Sequence, residues 1–147
     1  MSPANLLVIF FATYLIWIFA PVFLWLVHTG DKVTVFRVLG SSLLALVLSL
    51  IIKDYYYLPR PFILSGHLPL VAYGLDGSLP SGHTAVSFAF SLAVFSRRRR
   101  LGLGLIMTSL LIAFGRIAGG VHTPLDVFVG LLIAVVSFLF ARRFFRD

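Results

Sequence analysis

The sequence predicts an all-α fold, a polytopic transmembrane bundle of about five spanning helices, and three observations carry that expectation. Sixty per cent of the 147 residues are apolar and only 12% are charged, with a mean hydropathy of +1.04. A soluble domain of this size has too few charges to cover so much apolar surface, whereas lipid covers it readily. The apolar residues gather in long runs, and the cations fall in short blocks between them. The length supports a single domain over 1–147. Cysteine is absent, so neither a disulfide framework nor a thiolate metal site enters the reading.

In chain order the runs are roughly Asn5–Val27, Val33–Ile52, Ser81–Ser96, Leu101–Ala118 and Pro124–Ala141. A spanning helix needs about 20 apolar residues, or about 17 at the short end. The first, second, fourth and fifth runs meet that length. The third is marginal, with arginines at its end that can snorkel to the interface. Pro21 predicts a kink or an end late in the first helix. No basic region precedes the first run and no small-residue cleavage site stands out, so it reads as a retained helix rather than a signal peptide.

The net charge of +7 raises nucleic acid as a partner, but its distribution argues against one. Blocks between apolar runs suit topology signals and anionic lipid headgroups. Lys32, Arg37, Arg97, Arg98, Arg99, Arg100, Arg142, Arg143 and Arg146 fall at one set of helix ends. Short cytoplasmic loops carry the Lys/Arg excess, so that side and the C-terminus are expected inside. The segments 53–80 and 117–123 are then outside, together with Lys53, Arg60 and Arg116. Something other than orientation must hold these cations on the cation-poor side, and ionisable residues at membrane depth are functional candidates.

All three lie in short motifs on that face. Lys53-Asp-Tyr-Tyr-Tyr-Leu-Pro-Arg60-Pro61 follows the second run, Pro80-Ser81-Gly82-His83 begins the third, and Arg116-Ile-Ala-Gly-Gly-Val-His122-Thr-Pro-Leu-Asp126 joins the fourth to the fifth. Three cations suit a phosphate or diphosphate, whose oxygens guanidinium forks bind bidentately. Ser81 and Gly82 stand at a helix start, where free backbone N–H groups favour an anion. Thr123-Pro124-Leu125-Asp126 predicts an N-cap, a first-turn proline and an acid three residues past the cap. Asp126 can then hold one nitrogen of His122 as N–H and leave the other as a nucleophile. His83 can protonate the leaving oxygen. The set fits phosphoryl transfer with no cofactor and no dedicated metal cage, since glutamate is absent and the outward acids are Asp54, Asp76 and Asp126. A metal held by His83, His122 and Asp126 is the competing account, opposed by the cations nearby.

These stretches resemble the type 2 phosphatidic acid phosphatase family, membrane lipid phosphatases related to vanadium-dependent haloperoxidases. The family pattern is a Lys, six residues, then Arg-Pro; a Pro-Ser-Gly-His; and a Ser-Arg, five residues, a His, three residues, an Asp. Lys53, Arg60 and Pro61 match the first element, Pro80 to His83 the second, and Arg116, His122 and Asp126 the third. The resemblance covers a motif-bearing core of about 50–140. It implies His122 as nucleophile through a phosphohistidine, Asp126 as its orienting partner and His83 as general acid. Lys53, Arg60, Ser81, Gly82 and Arg116 are implied as phosphate ligands. Two departures stand out. Gly115 replaces the family serine and removes one hydroxyl contact to phosphate. One helix rather than two precedes the run that leads into Lys53, and a second protomer in a homo-oligomer is one way to replace the missing helix.

The remaining polar and aromatic residues read as structural. His67 and His28 have no partner near the motifs, and Tyr55, Tyr56 and Tyr57 suit an interfacial aromatic belt. Phe62–Leu79 is apolar for a loop and suits the headgroup layer beside the lipid's route into the site. An outward site with three cations, on a minimal bacterial-looking chain, makes undecaprenyl diphosphate the expected substrate of a multi-pass cell-membrane enzyme. Phosphatidylglycerophosphate, phosphatidate and lipid A phosphates would use the same residues. A non-catalytic phospholipid-binding or transport protein is the alternative from another class; binding alone would not require the His/Asp/His set.

Overall fold

Five helices carry the chain back and forth, and a sixth, short one lies between the second and third of them. The computed structural model describes residues 2–72, 74 and 76–146. Helix α1 runs Pro3–His28, with the Ser2 hydroxyl accepting from the Asn5 N–H at 3.3 Å and Pro3 in its first turn. Its course is irregular: a π turn at Phe10–Tyr14 and a 3-10 turn at Leu15–Ile18 precede regular helix over Phe19–His28. Pro21 thus sits within the last segment, and the distortion lies upstream of it. A proline ring crowds the carbonyl four residues back, here that of Trp17, within the tightened turn.

Helix α2 spans Lys32–Tyr55. Asp31 caps it, accepting from the Thr34 N–H at 3.2 Å and the Thr34 hydroxyl at 2.8 Å. The same carboxylate lies 3.3 Å from Arg98 Nε and 3.6 Å from Arg97 Nε, and the Arg98 guanidinium stands 4.9 Å from the Trp25 ring. Part of the basic block expected as a topology signal therefore also ties two loops together. Arg37, another member of that set, is buried and donates to the Phe145 carbonyl at 2.8 Å and the Ser96 hydroxyl at 3.3 Å.

Helix α3 is a single short turn, Pro61–Ser65, closed by Gly66 at φ 69°. Helices α4 (Gly82–Phe95), α5 (Arg99–Ala118) and α6 (Pro124–Phe144) complete the bundle. Helix α4 is central and packs against α2, α5 and α6, while α1 lies on α5 through its π turn and meets α2 near its end. The interior is made of small residues: Ala45, Ala85, Ala89, Ala93 and Ala134 are fully buried. Ser41 donates to the Ala89 carbonyl at 3.2 Å, and Ser91 and Ser109 share a 3.0 Å hydrogen bond. Large apolar side chains such as Trp17, Leu24, Leu43, Phe114 and Val136 face outward. This is the distribution expected in lipid, where close backbone approach and interhelical hydrogen bonds, rather than apolar burial, hold helices together.

Helices α1, α2, α5 and α6 are long and apolar enough to cross a membrane, and α4 is a shorter apolar helix. At 14 residues α4 is about 21 Å long, short of a hydrocarbon core of about 30 Å. Its neighbours sheathe it, so lipid thickness does not set its length. Its first turn, carrying Gly82 and His83, can therefore sit recessed within the bundle end.

Asp31→Ala should lower stability in detergent by about 1 kcal/mol, the worth of an N-cap. Asp31→Asn, which retains capping without charge, should recover most of the shift in thermal midpoint. Failure of Asn to do so would assign the effect to the arginine pairs instead.

Candidate active site

Each motif sits where an element ends. Lys53 is in the last turn of α2, and Arg60, with extended backbone, caps α3 ahead of Pro61. Gly82 and His83 open α4, and Arg116 lies in the last turn of α5. After Arg116 the chain turns at Gly120, φ 77°, where only glycine is comfortable. His122 follows, held through its N–H to the Arg116 carbonyl at 3.3 Å.

The expected cap of α6 is present. Thr123 Oγ1 accepts from the Asp126 N–H at 3.2 Å, and Asp126 Oδ2 accepts from the Thr123 N–H at 2.7 Å. This capping box fixes the carboxylate, whose Oδ2 lies 3.5 Å from His122 Nδ1. That separation is long for a hydrogen bond. Nδ1 has no closed hydrogen bond among the described residues, so the contact is electrostatic and leaves Nε2 as the other nitrogen.

Lys53, Arg60, Gly82, His83, Arg116 and His122 line one cavity of about 570 Å³. Asp126 stands behind His122, fully buried. Ser81 does not line the cavity. Its side chain is buried and accepts from the Thr84 hydroxyl at 2.9 Å, while its N–H donates to the Asp126 carbonyl at 3.0 Å. Ser81 thus joins α4 to α6 instead of facing the pocket, and Gly130 lets α6 approach, since a Cβ there would stand 2.8 Å from the Ser81 carbonyl. Among the described residues no three His, Asp or Glu side chains form a metal-binding group, and His83, His122 and Asp126 do not.

Three residues with no assigned role organise the site. Asp76 bridges Lys53 Nζ at 2.6 Å and Arg60 Nη2 at 2.7 Å. The Gly77 carbonyl accepts from Lys53 at 2.7 Å, and buried Ser78 donates to Asp126 Oδ1 at 3.4 Å. Their one sequence signal was an acid expected on the same face as the three motifs, shortly before Pro80. Burial of Asp76 acts to raise its carboxyl, yet hydrogen bonds from Lys53 and Arg60 prevail and hold it at about 2. His122 is pushed below its ordinary value, first by burial and then by Arg116, Arg60 and Lys53, against the opposing pull of Asp126. The imidazole is therefore neutral near pH 7, as a nucleophile must be.

The family model for the PAP2 superfamily matches residues 34–147. The chain belongs to the PAP2 superfamily. It is 34% identical over 145 residues to undecaprenyl-diphosphatase BcrC of Bacillus subtilis, covering 96% of this chain and 75% of that protein. The bacitracin transport permease protein BcrC of Bacillus licheniformis is 29% identical over 143 residues, covering 95% and 70%. The crystal structure of Aquifex aeolicus LpxE superposes with a TM-score of 0.80 at 29% identity, covering 97% of this chain and 88% of that one. As a PAP2 member with these relatives, the chain is a membrane phosphatase of lipid phosphates.

The PAP2 match begins after α1, yet α1 is built into the site. Arg116 Nη1 donates to the Ala12 carbonyl at 3.3 Å, within the π turn, where the helix's own hydrogen-bond ladder is disturbed. Thr13 and Ile16 form part of the cavity wall. Gly115 makes the approach feasible: a Cβ there would lie 2.6 Å from Ala12 N and 2.9 Å from the Phe11 carbonyl carbon. The glycine that departs from the PAP2 pattern is thus a packing requirement of α1. Behind it, Val71 of the loop after α3 packs with Ala12 and Val121, and the Leu70 N–H donates to the Gly119 carbonyl at 3.0 Å. That part of the loop expected in the headgroup layer lies over the site, while Leu64 and Leu68 face outward. Tyr55, Tyr56 and Tyr57 are exposed, and His67 hydrogen-bonds with the nearby Ser65.

Gly115→Ser should lower the thermal midpoint and phosphatase activity together, because it forces α1 from Arg116; improved phosphate affinity at an unchanged midpoint would refute the packing role. For a nucleophilic His122, the acid limb of kcat/KM should fall below the ordinary histidine value of 6.5. Lys53→Met, by removing one positive neighbour, should move that limb upward.

Proposed function

We propose that the chain hydrolyses undecaprenyl diphosphate to undecaprenyl phosphate and inorganic phosphate through a phosphohistidine at His122. The observation that carries this reading is one cavity lined by Lys53, Arg60, Arg116, His83 and His122 at its polar end and by Ile16, Leu46 and Val86 beside them. A phosphorylated headgroup fits the first set, and an isoprenoid tail fits the second. The name of the Bacillus subtilis relative, an undecaprenyl-diphosphatase, supports the same substrate.

In this mechanism the guanidinium and ammonium groups bind the phosphate oxygens, with the free N–H groups at the start of α4 facing the same anion. The Nε2 lone pair of His122 attacks the terminal phosphorus. The bond from that phosphorus to the bridging oxygen breaks, and His83 protonates the departing undecaprenyl phosphate. Asp126 holds the His122 ring and stabilises its positive charge. Water, giving a proton to His83, then attacks the phosphohistidine and releases inorganic phosphate. Charge developing on the transferring oxygens is met by the three cations already in place. The proposed orientation puts the site outside and the C-terminus in the cytoplasm, supported by the basic residues at the opposite helix ends.

The Bacillus licheniformis relative is named for bacitracin transport, which favours a second reading, a binding or transport protein without hydrolysis. One assay separates the two. Purified protein with undecaprenyl diphosphate in detergent, with EDTA present, should release phosphate, and His122→Ala should lower the rate by about 10³-fold or more. Binding without release in the wild type, unaffected by His122→Ala, supports transport. Release from phosphatidate or phosphatidylglycerophosphate but not from the prenyl diphosphate would transfer the proposal to another lipid.

A further inference from the structure

Among the described residues, Asp76 is the only acidic side chain in the cavity wall, and none of the sequence motifs includes it. Its two oxygens engage two cations at once, Lys53 Nζ at 2.6 Å and Arg60 Nη2 at 2.7 Å, much as two oxygens of a phosphate would. The carboxylate side chain is 50% exposed, whereas the Lys53 and Arg60 side chains are 11% and 4% exposed. The anion therefore stands at the mouth, with the cations behind it. Gly74 leaves it room, since a Cβ there would lie 2.6 Å from Asp76 Oδ1.

Neither cation depends on that carboxylate for its place. Lys53 also donates to the Gly77 carbonyl at 2.7 Å. Arg60 donates through Nη1 to the Val121 carbonyl and through Nε to the Asp76 main-chain carbonyl, both at 3.2 Å. Withdrawal of the Asp76 side chain leaves these backbone anchors intact. Arg116 differs, because its buried Nε has no hydrogen-bond partner among the described residues. Its Nη1 is anchored by the Ala12 carbonyl at 3.3 Å and it makes no ion pair with Asp76, whose carboxylate occupies Lys53 and Arg60.

Charge decides what can displace the occupant. Three cations and Asp76 leave a formal balance of +2 in the cavity wall. A phosphate monoester carries roughly −2 near neutral pH and meets that balance with Asp76 in place. A diphosphate carries one acidic oxygen more and gains by engaging all three cations. We propose that Asp76 is a resident anion that a diphosphate headgroup displaces from Lys53 and Arg60 and that reclaims them once only monophosphates remain. It is then a specificity-determining residue: it favours the diphosphate over a lipid monophosphate and inorganic phosphate, and it speeds product release. This rests on the diphosphatase reading for its biological meaning, but the competition for the two cations stands separately.

The test uses the full chain in detergent, as wild type, Asp76→Asn and Asp76→Ala, with thermal midpoints recorded to establish folding. Inorganic phosphate is titrated calorimetrically, and its inhibition of phosphate release from undecaprenyl diphosphate is measured in parallel. Both variants should bind inorganic phosphate about tenfold more tightly than wild type, the worth of one charge-assisted contact no longer contested, with inhibition strengthened in proportion. Equal or weaker phosphate binding in folded variants would overturn the proposal and make Asp76 a strut for Lys53 and Arg60. If wild type releases no phosphate from the diphosphate, the diphosphatase reading fails while the calorimetry still decides the role of Asp76. If wild type turns over but the variants bind no tighter, the resident-anion proposal fails alone.

Discussion

Three positive charges, Lys53, Arg60 and Arg116, face one cavity at the end of an apolar bundle, and their mutual repulsion is the constraint that the surrounding structure answers. Like charges at this depth are costly because little water is present to screen them. The chain supplies oxygen to each in turn. Gly77 and Asp76 serve Lys53, Val121 and Asp76 serve Arg60, and Ala12 serves Arg116. Most of these acceptors are backbone carbonyls, which lessen the repulsion without cancelling the charge. The positive field therefore remains available to a phosphorylated headgroup, and after burial it is the next influence that pushes His122 toward its neutral form.

The same constraint accounts for the irregular parts of the fold. The segment 76–81 is the hub: Asp76 and Gly77 reach Lys53, Ser78 reaches Asp126 and the Leu58 carbonyl, and the Ser81 N–H reaches the Asp126 carbonyl. One short stretch thereby joins the ends of α2, α4 and α6. The π turn of α1 has a comparable function, bringing the Ala12 carbonyl to Arg116 across Gly115. Beneath both, the small residues of α4 let three helices close around it, so the His83 end is fixed by packing rather than by a loop.

Much of this was legible in the sequence because it is local. Apolar runs gave the five principal helices to within a few residues, and Thr123-Pro124-Leu125-Asp126 spelled out a capping box that the structure contains. Motif spacing gathered Lys53, Arg60, Gly82, His83, Arg116 and His122 around one cavity. What escaped depends on tertiary approach. Ser81 reads as a phosphate ligand, and nothing local reports that its N–H also links α4 to α6 through the Asp126 carbonyl. Gly115 looked like a lost contact, whereas it admits α1, and no local pattern reports a helix about a hundred residues away. Asp76 was visible as an outward acid, but only the folded loop shows that its carboxylate spans two cations.

A nucleophilic His122 has a direct chemical signature. Undecaprenyl diphosphate labelled in its terminal phosphate should be mixed with wild type and with His83→Ala, then quenched in alkali. Label should appear on His122, stable to alkali and lost in acid, and should accumulate in the His83 variant if its slowed second step limits turnover. Steady release of phosphate by wild type with no label trapped on either protein would contradict the covalent route and leave direct attack by water in its place.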